Sequence, residues 1–164
     1  MDKLQPPDLH FVNAARGWLE LGDASEGRKE LDHVSLARKT HPEVLELRWE
    51  LCAKEKDWAG ALAAARQLVV LHPKRCSGWL HRAYTLHEMK HTQEAWNALR
   101  PALERFPKVT TIPYNLACYA CQLGRMDEAR SWLKKAIEVG QRQDVVQLAL
   151  TDPDLKPLWP ELHQ

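Results

Sequence analysis

The chain has 164 residues, a formal net charge of +1, 45% apolar residues and 27% charged residues. This length suits one domain or one short repeat array, and the apolar content is sufficient for a continuous core. The near-zero net charge removes the simplest case for nucleic-acid binding, which needs a strongly basic face. We therefore expect no nucleic-acid partner.

The N-terminal segment and the cysteines indicate a cytoplasmic protein. MDKLQPPDLH lacks the apolar stretch of a signal peptide, and no apolar run approaches the length of a membrane span. Cys52, Cys118 and Cys121 fall inside helical patterns, and Cys76 stands at the start of one. This placement is typical of reduced thiols. We expect a soluble chain with no membrane partner.

The first half of the chain reads as two helical hairpins. Asp8 is positioned to cap a helix over 9–21, and Asp23 with Glu26 has capping-box spacing for a second helix that continues to about Thr40. A third helix over 43–55 follows. The fourth is capped by Asp57 and closed by His72-Pro73, because proline just beyond a helix end is a stop signal.

The second half predicts two more hairpins and a terminal segment. Helices are expected over 77–89, 92–106, from about Pro113, and over 126–139 with Gly140 as C-cap. Pro101 removes one backbone hydrogen bond, which predicts a kink at 97–101. A helix over 143–150 and a short one capped by Asp152 follow, and we expect them to cover the apolar face of the last hairpin.

A fixed interval of 34 residues relates the four hairpins. Steps of this length from Gly124, in the break of the last hairpin, reach Lys90, Lys56 and Gly22, each in a polar break. The same steps from Ala129 reach Ala95, Ala61 and Gly27, which are all small. Small residues in one column at a fixed interval are the signature of stacked helical hairpins.

Further columns repeat at the same interval. Hairpin three carries Trp79, Ala83, Leu86, Ala95, Leu99, Ala102 and Pro107; hairpin four carries Leu116, Ala117, Gly124, Ala129, Leu133 and Ala136. Hairpin two carries Leu45, Cys52, Ala61, Ala65, Leu68 and Pro73; hairpin one carries Phe11, Ala15, Trp18, Gly22, Gly27 and Leu31. Over residues 8–140 the chain resembles the tetratricopeptide repeat family, of the small bacterial type.

The resemblance implies an all-α fold, a right-handed α-solenoid of about four hairpins with C-terminal capping helices. The predicted division is a tail at 1–7, repeats at 8–41, 42–75, 76–109 and 110–140, and capping helices at 141–164. One departure from the family pattern is Trp49, which stands where the other hairpins have alanine. We expect the alanine-rich helix over 58–71 to accommodate it by a large-for-small exchange.

The family resemblance also implies a peptide-binding groove lined by the first helix of each hairpin. Glu43, Glu46 and Glu50 share one helix face by their i, i+3, i+7 spacing, which gives an acidic strip with aromatic neighbours for a peptide that carries Lys or Arg. The predicted groove residues are Asn13, Arg16, Glu43, Glu46, Glu50, His81, Tyr84, His87, Glu88, Tyr114, Asn115 and Cys118.

Alternatives remain open for these residues. The glutamates are also explained as a solvated face, and Tyr84 and Tyr114 as packing between hairpins. The family members that clamp a C-terminal carboxylate need a basic and asparagine constellation, and of the corresponding residues here only Arg16 has that character. Cys118 and Cys121 form a C-x-x-C, but a single pair inside a helix is a weak signal for zinc. We expect no cofactor or metal.

These patterns predict a non-catalytic scaffold or adaptor that binds a protein segment, as a monomer or weak homodimer. No phosphate-binding glycine loop, nucleophile elbow or H-E-x-x-H motif is present, so we expect no enzymatic activity. The alternatives are a self-associating assembly protein, which the apolar tail over 155–162 favours, and a chaperone of the secretion type. An enzyme or metal protein that uses Cys118 and Cys121 is a third class.

Overall fold

The computed structural model describes residues 3–162, and these residues form α-helices and two short 3-10 helices without a strand. The all-α prediction is therefore confirmed. The α-helices are α1 (Asp8–Glu20), α2 (Ala24–Asp32), α3 (Pro42–Lys54), α4 (Trp58–Leu71), α5 (Cys76–Glu88), α6 (Thr92–Leu99), α7 (Ala102–Arg105), α8 (Thr111–Gln122), α9 (Met126–Val139), α10 (Arg142–Ala149) and α11 (Trp159–Leu162). The 3-10 helices are Leu36–Arg38 and Pro153–Leu158.

The chain divides into two compact units, residues 1–85 and residues 86–164, and the division falls inside α5. In the first unit α1 packs against α2 and α3, and α3 packs against α4. In the second unit α8 packs against α6, α9 and the 3-10 helix Pro153–Leu158. Fully buried side chains form the cores: Val12, Leu31, Leu47 and Leu51 in the first unit, and Leu99, Ile112, Leu116, Leu155 and Leu158 in the second.

The four hinge positions of the 34-residue register share one backbone conformation. Gly22 has φ +88°, Lys56 +58°, Lys90 +66° and Gly124 +75°. Each residue ends the first helix of its hairpin in the left-handed region, which glycine adopts without strain and lysine does not. The interval read from the sequence thus marks four equivalent turns, and two of them carry a residue that is strained there.

The small-residue column is buried for a geometric reason. Ala61, Ala95 and Ala129 are 0% exposed, and a Cβ added to Gly27 would lie 2.6 Å from Cδ2 of Leu51 and 3.0 Å from the carbonyl oxygen of Ala15. The second helix of each hairpin therefore approaches its neighbours too closely for a larger side chain. In the first hairpin even alanine is too large.

The predicted extent of the second helix and the predicted role of Asp8 are wrong. α2 ends at Asp32, not near Thr40, and the N-cap of α1 is Pro7. The Asp8 carboxylate accepts hydrogen bonds from the backbone amide of Ser35 (2.7 Å) and from its hydroxyl (2.8 Å). This side chain holds residue 35 against the start of α1, while Val34 is buried. The chain then turns through the 3-10 helix before Pro42 begins α3.

Two predicted N-caps are confirmed. The Asp23 and Asp57 side chains cap α2 and α4 by accepting from backbone amides three residues later, at 3.1 and 2.9 Å. The kink expected near Pro101 is a complete break between α6 and α7.

Within residues 3–162 no helix is both long and apolar enough to cross a membrane.

Candidate protein-binding surface

The structure distributes the predicted groove residues over both units. In the first unit, Asn13 and Arg16 are exposed on α1, and partly exposed Glu43, Glu46 and Glu50 lie on α3. His81 and Tyr84 lie on the part of α5 that belongs to this unit. In the second unit, His87 and Glu88 end α5 and are partly exposed; Tyr114, Asn115 and Cys118 lie on α8.

An aromatic cluster occupies the first unit between α3 and α5. The Trp49 ring stacks on His81, with 3.7 Å between ring centroids and 11° between planes. Tyr84 meets Trp49 and Trp58 edge-on, at 6.0 and 6.3 Å. Trp49 Nε1 donates to the Thr85 hydroxyl (2.9 Å), which itself donates to the carbonyl of His81 (2.7 Å). The Tyr84 side chain, 42% exposed, thus rests on rings that are fixed by stacking and hydrogen bonds.

The expectation for Trp49 was incomplete, and Trp58 was missed. The Trp49 indole does more than fill space beside the alanine-rich α4, because its ring and its N–H both engage α5. Burial lowers the pKa of His81 from 6.5 to about 4, although Glu46 acts in the opposite direction. His81 is therefore a neutral stacking partner near pH 7. No spacing rule marked Trp58, which follows the N-cap of the next helix.

The predicted acidic strip is only partly available. Both carboxylate oxygens of Glu46 accept from Nη1 of Arg75 at 3.2 Å, and one also accepts from the Ser77 hydroxyl. The charge of Glu46 is therefore already compensated within the first unit. No sequence pattern indicates this contact, because Arg75, in the turn before α5, and Ser77, in the first turn of α5, lie about thirty residues away.

Glu50 differs from Glu46 in lacking such a partner. It is half-buried, and burial raises its pKa; nearby Glu46 adds to this rise and Arg16 opposes it. Within residues 3–162 no side chain forms an ion pair or hydrogen bond with the Glu50 carboxylate. Arg16 is near enough to act on the charge of Glu50 but forms no ion pair with it, and a half-buried carboxylate without an ion pair is costly. The surroundings of Glu50 therefore favour a further positive charge.

In the second unit the predicted groove positions on α8 are covered, which corrects the expectation for Tyr114 and Cys118. These residues are 6% and 4% exposed. The Tyr114 hydroxyl donates to Oδ2 of Asp152 at 2.9 Å, and Cys118 Sγ lies 3.6 Å from the same oxygen. Burial first, and the Asp152 charge in addition, raise the pKa of both groups. Both therefore stay protonated and serve as donors.

The C-x-x-C pair lies inside this buried region. Cys118 and Cys121 are buried free thiols, and burial is the main cause of the raised pKa of each. In the part of the chain that the structure describes, no group of three or more His, Cys, Asp or Glu side chains is arranged to hold a metal ion. Of the pair, Cys118 contacts the C-terminal segment at Asp152.

Comparison with known proteins rests on structure alone, since no protein-family model and no curated protein sequence matches the chain. A crystal structure of MamA superposes with a TM-score of 0.75 at 14% identity, covering 84% of this chain and 81% of that one. MamA from Desulfovibrio magneticus RS-1, residues 41 to the end, gives a TM-score of 0.75 at 16% identity over 98% and 93% of the two chains. The chain therefore has the tetratricopeptide-type helical-repeat fold of the MamA structures.

Proposed function

We propose that this chain is a non-catalytic protein-interaction module whose first unit binds a segment of another protein. The observation that carries the proposal is Glu50, a half-buried carboxylate that forms no ion pair and whose counterpart one 34-residue interval later is the exposed Tyr84. A lysine or arginine of the bound segment would supply an ion-pair partner for Glu50. Its aliphatic stem would lie on Tyr84, where a cation near the ring face gains further stabilisation.

The neighbouring side chains support a segment rather than a small molecule. Exposed Asn13 and Arg16 on α1 and partly exposed Glu43 on α3 extend the polar surface along two helices. They provide donors and acceptors for the backbone and side chains of an extended or helical peptide. His81, with a pKa of about 4, is a poor general base at neutral pH, which fits binding better than catalysis. The four free cysteines favour a reducing compartment, and we propose the cytoplasm.

Affinity capture with matched variants tests this proposal. Wild type, the double variant Glu50→Gln with Tyr84→Ala, and the control Glu30→Gln on α2 would be used to capture proteins from a lysate of the source organism. We expect a protein held by wild type and by the control but lost by the double variant. A synthetic segment of that protein should then bind Glu50→Gln about 30-fold more weakly than wild type.

The same experiment can contradict the proposal. A protein captured equally by all three forms would place the site elsewhere on the chain. If Glu50→Gln binds the synthetic segment with unchanged affinity, Glu50 forms no ion pair with that segment, even though the segment binds. Equal circular dichroism spectra of the three forms are the required control for folding.

Self-association is a second candidate, favoured by exposed leucines. In the first unit the side chains of Leu21 and Leu36 are 78% and 86% exposed, and in the second Leu148 is 54% exposed. Apolar side chains this open contribute to contacts between copies when they fall in one patch. Light scattering over a dilution series tests this candidate, and a constant monomer mass at every concentration would remove it.

A further inference from the structure

The segment 152–158 lies on α8 as a bound peptide would. Asp152 Oδ2 accepts from Tyr114, with Cys118 Sγ beside it, and the backbone carbonyl of Asp154 accepts from Nε2 of Gln122 at 3.0 Å. Oδ2 of Asp154 lies 2.9 Å from Nε2 of His87. The two aspartates thus provide all the acceptors in these contacts, and the second unit surrounds them with four side chains.

All four of these side chains act as donors. Tyr114, Cys118 and Gln122 donate from a hydroxyl, a thiol and an amide nitrogen. An ionised carboxylate only accepts, so Nε2 of His87 carries the hydrogen toward Asp154, while Nδ1 faces the Thr92 hydroxyl at 3.0 Å. A surface with donors at each polar contact selects acceptors and therefore favours acidic segments.

Leucines complete the recognition. Leu155 directly follows the second aspartate and is 0% exposed; Leu158, three residues later, is 1% exposed. Polar contacts from the aspartates and burial of the two leucines together define the pattern Asp-x-Asp-Leu-x-x-Leu. Alternating polar and apolar anchors of this kind are how peptide grooves obtain both affinity and register.

The covered positions correspond to open ones in the first unit. Tyr84 of α5 is 42% exposed, and 34 residues later in the register stands Cys118 of α8, 4% exposed. The segment 152–158 therefore occupies, in the second unit, the register position at which the first unit has an exposed side chain. Covering this place uses hydrogen bonds to side chains, which a competing segment of like chemistry can also form.

We propose that the α8 face is a second peptide-binding surface, which takes an acidic Asp-x-Asp-Leu segment of another protein when the chain's own segment 152–158 is released. A second copy of this chain is a poorer occupant. Exchange of identical segments gains no contact and costs the entropy of association, whereas the attached segment acts at about millimolar effective concentration. A different protein can add contacts beyond the segment. This surface is separate from the Glu50 site and has the opposite charge preference.

A labelled peptide of residues 150–162, LTDPDLKPLWPEL, tests the proposal by fluorescence polarisation with the full chain. The double variant Asp152→Asn with Asp154→Asn weakens the attached segment but leaves α8 intact. We expect this variant to bind the peptide at least about tenfold more tightly than wild type, because the competing attached segment is lost. A peptide with both aspartates replaced by asparagine should bind about tenfold more weakly than the native peptide.

Two further variants keep the test decisive. Leu155→Ala opens the surface by a different route, in case the double variant fails to fold. Tyr114→Phe, added to either opened form, should reduce peptide affinity by removing a donor, which places the bound peptide on α8. Circular dichroism verifies that each form is folded.

The outcomes that overturn the proposal are distinct. Folded, opened variants that do not bind the peptide would make the segment a fixed structural cap. Binding unaffected by Tyr114→Phe and by the asparagine peptide would place the peptide elsewhere. A wild-type dimer by light scattering that becomes monomeric in the Asp152→Asn, Asp154→Asn variant would make a second copy the occupant.

Discussion

The first helices of the hairpins present an open face in one unit and a covered face in the other. Tyr84 in the first unit is exposed above Trp49 and Trp58, whereas Cys118, its counterpart in the 34-residue register, is buried beneath residues 152–158. The same repeat position therefore serves two purposes. What differs is not the hairpin but whether a later segment of the chain supplies matching acceptors and leucines.

The difference also changes the chemistry of each face. The open face has a half-buried carboxylate, Glu50, that forms no ion pair, and the covered face has donors that already hold Asp152 and Asp154. The two proposals together give one repeat scaffold a preference for a basic segment at one place and for an acidic segment at another. Fold alone indicates neither preference, since recognition depends on the side chains.

The largest expected effect on stability comes from Leu155→Ala, which loosens the segment 152–158 and so makes the second unit more like the open first unit. Leu155 is fully buried, so its truncation should lower the free energy of unfolding by about 2–5 kcal/mol. The nearby exposed residue provides a matched control, Lys156→Ala, which should change stability by less than about 0.5 kcal/mol. Urea unfolding measures both, and equal effects of the two substitutions would mean that the segment is not docked.

A pH titration of stability tests whether His81, in the first unit, is buried as a neutral side chain. The pKa of His81 is about 4 in the folded chain against 6.5 as its usual value, so the unfolded state takes up a proton first as the pH falls. The contribution of His81 to the free energy of unfolding is fully present above pH 6.5. It is lost progressively between pH 6.5 and 4, by up to about 3 kcal/mol.

The variant His81→Phe isolates this contribution. Phenylalanine keeps a flat ring against Trp49 but does not titrate, so the variant should lose less stability than wild type between pH 6.5 and 4. Carboxylates that titrate in the same range affect both proteins alike. Parallel stability curves for the two proteins would show that His81 is not desolvated.

The smallest expected effects on stability test whether the hinge positions of the two units are equivalent. Lys56→Gly in the first unit and Lys90→Gly in the second should each raise stability by about 0.5–1 kcal/mol, because both lysines have positive φ. Gly22→Ala and Gly124→Ala should each cost about 1 kcal/mol through backbone strain alone, since no atom lies within 4 Å of an added Cβ. Thermal unfolding measures all four, and gains from the glycine replacements in only one unit would contradict their equivalence.

Features that repeat along the sequence were predictable. The 34-residue interval located the left-handed hinges at Gly22 and Gly124, and the small column at Gly27 and Ala61, because each follows from local geometry repeated in every hairpin. Proline likewise marked the break after α6. Such signals depend on neighbours in the chain and on stacking of equivalent helices.

Features that occur once were not predictable in this way. The Asp8–Ser35 hydrogen bonds, which replace an expected N-cap, join residues 27 apart, and the Glu46–Arg75 pair joins residues 29 apart. The cover over Tyr114 depends on Asp152, 38 residues later. The sequence predicted a covering segment, but the positions of these partners depend on tertiary packing that no repeat encodes. The candidate site was therefore predicted in outline only, and its charge balance was not.

The Trp49–His81 stack also has an optical consequence. An imidazole 3.7 Å from an indole is close enough to quench its fluorescence by electron transfer once the imidazole is protonated. Because the pKa of His81 is about 4, we expect this quenching to be absent at neutral pH and to appear as the pH falls toward 4. A ligand that rests on Tyr84 and shields the stack would shift that quenching to still lower pH. The first unit thus contains its own reporter of occupancy, which needs no attached dye.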